Sequence, residues 1–287
     1  MISRFGPAGN EEAFAAAGHK SSAEAPAYVA GLGLNAYEYQ CGRGVHASDE
    51  LCVAMRNACA EHNVAVSVHA PYFISLASPE AEKRDNSIRY ILDSCRCVAA
   101  MGGDRVILHP GSPVGKPRDE AMKLALQTMA QARKACDDAG YENILLCPET
   151  MGKQNQLGTV EEICDFCALS PRILPCIDFG HVNAREGGSL RTEADFARLF
   201  DLLESRIGKE RTSAFHAHFS HIQYGPGGEV RHLTFDEHEY GPEFEPLACV
   251  IASRGYTPVI ICESAGTQAR DAAFMCRILS EIQSKGR

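Results

Sequence analysis

Arg172-Ile173-Leu174-Pro175-Cys176-Ile177-Asp178-Phe179-Gly180-His181-Val182-Asn183 reads as a short buried strand that runs into a carboxylate and an imidazole three residues apart. Residues of those types, placed where a strand gives way to a loop, can converge on a metal ion or a substrate. The same spacing also suits a helix N-cap followed by a surface histidine. The rest of the chain decides between the two readings. Strand-like runs ending at Val68-His69, Leu108-His109, Pro148-Glu149, Ala217-His218 and Cys262-Glu263 repeat the pattern.

Outward from this stretch, short β-type runs alternate with longer helical ones. The expected strands are Ile2 to Phe5, Ala36 to Tyr39, Val64 to His69, Arg105 to His109, Asn143 to Cys147, Arg172 to Ile177, Ser213 to Phe219 and Val259 to Glu263. The expected helices are Ser22 to Gly31, Ser48 to His62, Pro79 to Met101, Arg118 to Ala139, a run from Thr159, Thr192 to Ser205, Phe244 to Arg254 and Gln268 to Ser284. Ser48-Asp49-Glu50 is a helix-start signal and Gly102-Gly103 a helix-stop signal. Eight strand–helix pairs in 287 residues have the rhythm of an α/β (β/α)8 TIM barrel, with residues 1–287 as one domain. A doubly wound sheet is the rival, but Gly6-Pro7-Ala8-Gly9-Asn10 does not fit the phosphate loop such a sheet would carry.

Composition narrows the function classes. A formal charge of -9 gives no bulk pull toward a polyanion, so nucleic-acid contact would need a local basic surface; carboxylates clustered around cations would account for part of the excess. No apolar run approaches the roughly 20 residues that span a bilayer. The N-terminal residues Met1 to Gly6 lack a basic region followed by an apolar one, so a soluble, cytoplasmic protein without membrane contact is expected; a monomer is the separate expectation for its assembly. The 13 cysteines lie mostly in apolar segments and their odd number argues for reduced thiols. Cys164-Asp165-Phe166-Cys167 has redox or zinc spacing, but it falls in an expected helix with no second pair nearby, and helix packing is the reading taken.

The strand-end residues His69, His109, Glu149, Asp178, His181, His218 and Glu263 are imidazoles and carboxylates without thiolate, a set that suits zinc or manganese. They exceed what one ion can use. Two or more ions sharing a carboxylate would use them all, and such a pair can activate water and clamp a phosphate.

His69-Ala70-Pro71-Tyr72-Phe73-Ile74-Ser75-Leu76-Ala77-Ser78 resembles the His-Ala-Pro-Tyr-x-Ile-Asn-Leu-Ala-Ser signature of the endonuclease IV family, TIM-barrel apurinic/apyrimidinic endonucleases with a three-zinc site. Ile107 to Gly111, Cys147 to Thr150, Ile177 to His181 and Ile261 to Glu263 follow in the family's order. The resemblance implies two or three Zn2+ ions, with Mn2+ an option at one site. His69 and His109 would bind one, Glu149 would bridge to a second completed by Asp178, a seventh-strand histidine and Glu263, and His181 would hold a third. Of His216 and His218, the latter is preferred: His218-Phe219-Ser220 sits like the family's His-Leu-Asn, with His216 a layer deeper and His221 in the loop. The family's third zinc uses an Asp-x-His pair; here His232 matches the histidine, Val230 stands where the aspartate would be, and Glu229 could reach in by a one-residue shift.

The family's DNA-probing segment has no counterpart in Glu38 to Gly44. Tyr72 and Phe73 keep the aromatic and the apolar wedge that would contact a lesion, or would cover a small ligand. The implied activity is a metal-dependent phosphodiesterase that cuts DNA 5′ to abasic sites, with Glu149 fixing the ion pair and Glu263 orienting the nucleophile or acting as base. The alternative is a xylose isomerase-like sugar isomerase or epimerase, using one divalent ion on Glu149, Asp178, His218 and Glu263. A barrel that binds metal or nucleic acid without turnover is a third option.

Overall fold

The computed structural model describes residues 2–285. Its elements run β1 (Arg4–Pro7), α1 (Glu12–Ala16), α2 (Ala25–Gly31), β2 (Ala36–Gln40), α3 (Asp49–His62), β3 (Ala65–His69), α4 (Ala81–Ala100), β4 (Arg105–Leu108), α5 (Arg118–Asp138), β5 (Leu145–Pro148), α6 (Val160–Ala168) and β6 (Cys176–Asp178). They continue with α7 (Phe179–Arg185), α8 (Glu193–Ile207), α9 (Lys209–Ser213), β7 (His216–Phe219), β8 (Ile222–Gly225), β9 (Gly228–His232), α10 (Phe244–Arg254), β10 (Val259–Cys262) and α11 (Gln268–Lys285).

Two parallel four-stranded ladders, β1-β10-β7-β6 and β2-β3-β4-β5, meet at two seams. At one, Ala8 bridges Glu38 and the Gly9 amide donates to the Glu38 carbonyl at 2.9 Å. At the other, Leu146 bridges Ile173 and Glu149 bridges Cys176. Eight parallel strands thus close into a ring with helices outside, the expected (β/α)8 barrel.

The first seam needs Gly6. A Cβ there would lie 1.8 Å from the Ala36 carbonyl oxygen, with no flexible side chain to yield. Gly6→Ala is expected to cost about 3 kcal/mol by overpacking a seam that cannot shift, read as a lowered urea midpoint at unchanged slope.

Strand alternation sorts the side chains. Val66, Val68, Val106, Leu108, Leu146, Ile177, Ala217, Phe219, Ile260 and Cys262 belong to the large core shared with the helices. Ile107, Cys147, Leu174 and Cys176 form a separate buried cluster, with Leu145 packed against it. Two residues beyond Ile107, Cys147 and Cys176 come His109, Glu149 and Asp178, so the period of two that puts apolar groups in the barrel puts these polar groups at its mouth.

Several boundaries differ from the sequence reading. The first strand is Arg4–Pro7 rather than Ile2 to Phe5, because Gly6 and Pro7 pair with Ile261 and Cys262 instead of opening a loop. Ser213 ends α9 instead of opening β7. β6 begins at Cys176, although Ile173 and Leu174 already touch β5. The segment after Asp178 is not a loop: it turns at once into α7, with the Asp178 side chain accepting from the His181 amide at 2.8 Å as N-cap. The β8–β9 hairpin, a two-stranded antiparallel ribbon, had no counterpart in the expected elements. Cys164 and Cys167 are buried in α6, as helix packing requires. Among the described residues no helix is long and apolar enough to cross a membrane.

Candidate metal centre

His69 ends β3, His109 follows β4, Glu149 follows β5, Asp178 ends β6, His218 lies in β7 and Glu263 follows β10. All six meet at the C-terminal mouth of the barrel. Glu149, 1 % exposed, is the hub. Its Oε2 lies 3.3 Å from His69 Nε2 and 3.2 Å from His109 Nε2. Its Oε1 lies 3.2 Å from both His218 Nδ1 and His181 Nδ1. Glu263 Oε1 is 3.5 Å from the same His218 nitrogen.

These residues fall into groups whose ligand atoms all lie within 4.8 Å of one another: His69, His109 and Glu149; Glu149, Asp178, His218 and Glu263; and His181, Glu229 and His232. The donor set fits cations on two independent grounds. In a tetrahedral zinc site with bonds near 2.0–2.1 Å, neighbouring ligand atoms are about 3.3 Å apart, which is the separation seen around Glu149. Asp178 Oδ2 is fully buried without a hydrogen-bond partner, although its other oxygen caps α7. A buried carboxylate oxygen left bare is costly unless a cation faces it.

Neighbouring groups orient the imidazoles. His69 Nδ1 donates to its neighbour's carbonyl, Ala70 O, at 2.9 Å, which turns Nε2 toward Glu149, and His181 Nδ1 donates to Thr150 O at 3.0 Å, which turns Nε2 toward Glu229. His232 Nδ1 is fixed by Ser220 Oγ at 2.8 Å. Partners of this kind set the tautomer that a metal needs.

The electrostatics follow from burial and crowding. Burial alone would raise the Glu149 carboxyl, but His218, His109 and His181 outweigh it and hold it well below the usual carboxylate range. Burial works against charge on His181 as well, yet Asp178, Glu149 and Glu229 push it up to about 10. Burial likewise opposes protonation of His218, and Cys176, Glu263, Glu38 and Glu149 reverse it.

The third group bears on the Val230 position through the pairing of β9. In β9, Glu229 pairs with Tyr224 and Arg231 with Gln223, leaving Val230 as the extra residue of a β-bulge. Residues three apart would otherwise point to opposite faces; the bulge brings Glu229 and His232 to one face and turns Val230 outward, 59 % exposed. Glu229 Oε2 comes 3.4 Å from His181 Nε2. The hairpin tip is tied to the β5 loop through the Glu229 amide on Gly152 O at 3.1 Å. Gly152 is also spatially required, since a Cβ would meet Glu229 Cβ at 2.6 Å.

Tyr72 and Phe73 project from the β3 loop at 58 % and 56 % exposure. The Tyr72 ring stacks on His109 with centroids 5.4 Å apart and forms one wall of the mouth. His216 lies one layer below His218, and His221 sits in the turn after β7, stacked on Phe235. Sequence reasoning missed Glu38. This fully buried β2 carboxylate sits under the centre, 3.0 Å from His218 Nε2 and 3.1 Å from His216 Nε2.

Residues 26–278 match the model of the xylose isomerase-like TIM barrel family. An uncharacterised protein of Methanocaldococcus jannaschii is 30% identical over 88% of this chain and 89% of its own. A probable endonuclease 4 of Acholeplasma laidlawii is 31% identical over 56% of this chain, and the match spans only 54% of that relative's length. Among solved structures, endonuclease IV from Thermus thermophilus superposes with a TM-score of 0.68 at 20% identity, covering 98% of this chain and 99% of that one. A D-tagatose 3-epimerase-like protein gives 0.72 at 21%, covering 99% and 100%. Likenesses at this level of identity establish the fold alone.

Proposed function

This chain belongs to the xylose isomerase-like TIM barrel family, and from that premise we propose that it is a metal-dependent phosphodiesterase of the endonuclease IV type, cutting DNA 5′ to abasic sites. One observation carries the reading: the two oxygens of Glu149 face different imidazoles, His69 with His109 on one side and His218 on the other. A carboxylate so divided is a bridge, and a bridge requires more than one cation. The resemblance to probable endonucleases 4 supports the same class of substrate.

In this reading His69, His109 and Glu149 hold one zinc ion, Glu149, Asp178, His218 and Glu263 a second, and His181, Glu229 and His232 a third. Bound there, the ions supply Lewis acidity, lowering the pKa of water and offsetting charge on phosphate oxygens. The protein's part is placement. Glu263 is the most open of the central carboxylates, with its side chain 17% exposed, and is placed to accept the proton of an attacking water. Tyr72 and Phe73 are the groups that press against an extruded nucleotide or the step beside it. Exposed Arg43 and Lys153 stand on loops at this same face and offer the local positive charge that the net balance lacks.

The single-ion isomerase is the second reading, because Glu149, Asp178, His218 and Glu263 form one such set by themselves and an epimerase-like protein shares the fold. The two readings separate on one preparation. Two or three zinc ions per chain together with nicking of an abasic-site duplex support the phosphodiesterase; one ion, no nicking and epimerisation of a ketose support the isomerase.

The third ion has its own check by elemental analysis. Glu229→Ala is expected to remove one ion per chain. Deletion of Val230 is expected to leave the count unchanged, since plain strand alternation then sets Glu229 and His232 on one face without a bulge.

A further inference from the structure

We infer that Glu38 is the positioning residue of the Asp178–His218–Glu263 cation site, fixing His218 from beneath. The inference rests on reading that cluster as a cation site. Glu38 lies mid-strand in β2, 0 % exposed. Side chains alone surround its carboxylate: Ser67 Oγ donates to Oε2 at 2.8 Å, Gln40 Nε2 donates to Oε1 at 3.2 Å, and His216 Nε2 and His218 Nε2 approach Oε2 and Oε1 at 3.1 and 3.0 Å.

Such a residue is expensive. A buried ionic group can often be replaced by apolar residues of similar volume with no loss of stability, so holding one fully buried inside the barrel points to a task. The geometry names the task. When a cation occupies His218 Nδ1, the ring keeps a single proton, on Nε2, and Glu38 Oε1 is the acceptor beside it, 3.0 Å away though not aligned as a hydrogen bond. That contact fixes which nitrogen faces Glu149 and Glu263 and stops the ring from turning. His216 holds the other carboxylate oxygen. Its proton therefore sits on Nε2 opposite Glu38, while its own Nδ1 is buried without a partner and can take that proton only where Nε2 has to accept.

The test is zinc affinity, ion by ion, of the full chain in competition with a chromophoric chelator. Glu38→Leu is expected to weaken one ion about 10- to 100-fold and leave the others unchanged. Glu38→Gln should recover most of that loss: its carboxamide oxygen still accepts from His218, and its NH2 can donate to His216 Nε2 once His216 carries its proton on Nδ1. A folded Glu38→Leu protein that binds every ion with wild-type affinity, or loses all of them equally, overturns the inference. If Glu38→Leu does not fold, Ser67→Ala is the second variant, with a smaller weakening confined to the same ion expected and an unchanged affinity counting against the inference. A wild-type chain with one ion refutes the phosphodiesterase reading while Glu38 still stands or falls on its own variants; a wild-type chain with none refutes both.

Discussion

Glu149→Ala is expected to lower abasic-site nicking by at least about 10³-fold, the upper end of what one transition-state hydrogen-bond donor is worth, and to release more than one ion per chain. Both effects follow from the same geometry. Four imidazoles converge on this carboxylate within 3.3 Å, and its removal takes a ligand from two cation groups at once. No neighbour replaces it. Asp178 spends one oxygen on capping α7 and offers the other to only one of the two groups, and Glu263 approaches only His218 among these imidazoles. Glu149→Gln keeps the volume but leaves one acceptor oxygen, so it should still lose one of the two contacts it bridges. Metal analysis and single-turnover nicking on the same preparation check the prediction. Loss of activity with the ions retained would instead make Glu149 a base. In the metal-free protein the substitution leaves buried imidazoles without their counter-charge, a change that typically costs 3–5 kcal/mol, so a lowered urea midpoint should accompany the kinetic defect.

The barrel was legible in the chain because eight short β-type runs alternate with helical ones at one rhythm, six of them ending in chemistry-bearing residues. His69, His109, Glu149, Asp178 and Glu263 could be read as a convergent set because each sits at a strand's C-terminal end, where the fold itself gathers residues distant in sequence. What could not be read has physical causes. The bulge at Val230 depends on how β9 pairs with β8, a tertiary choice that strand alternation does not encode. α7 follows β6 without a linker, so the Asp-x-x-His spacing was both an N-cap and a site, two readings that had looked exclusive. Glu38 was available in principle. Ala36-Tyr37-Glu38-Tyr39 places a charge in the middle of a strand that a parallel barrel buries, and such a charge has to have partners. The signal was a misplaced residue in a strand, whereas attention fell on strand ends.

Stripping the ions is the remaining large perturbation, and it should act on stability as well as turnover. An ion present at a thousand times its dissociation constant stabilises the fold by about 4 kcal/mol. For a chain of this size each kcal/mol moves Tm by about 2 °C, so removal of one saturated ion should lower Tm by about 8 °C, and of several by more. The size of the drop should depend on pH. Without cations the buried carboxylates favour protonated His69, His181 and His218, and His181 is pushed up from its ordinary value near 6.5 to about 10, against its burial, by Asp178, Glu149 and Glu229. A group whose folded value lies above its unfolded value contributes stability below the unfolded value and loses it as pH rises through the folded one. Tm of the chelated protein should therefore fall between about pH 6.5 and 10 as these substitute charges leave, while the zinc-loaded protein, whose ligands already lack those protons, should change little. Differential scanning calorimetry at several pH values, with and without chelator, measures the gap. A gap that stays constant or narrows with rising pH would mean that these imidazoles do not stand in for cations, and with that the electrostatic case for a multi-ion centre at Glu149 would fail.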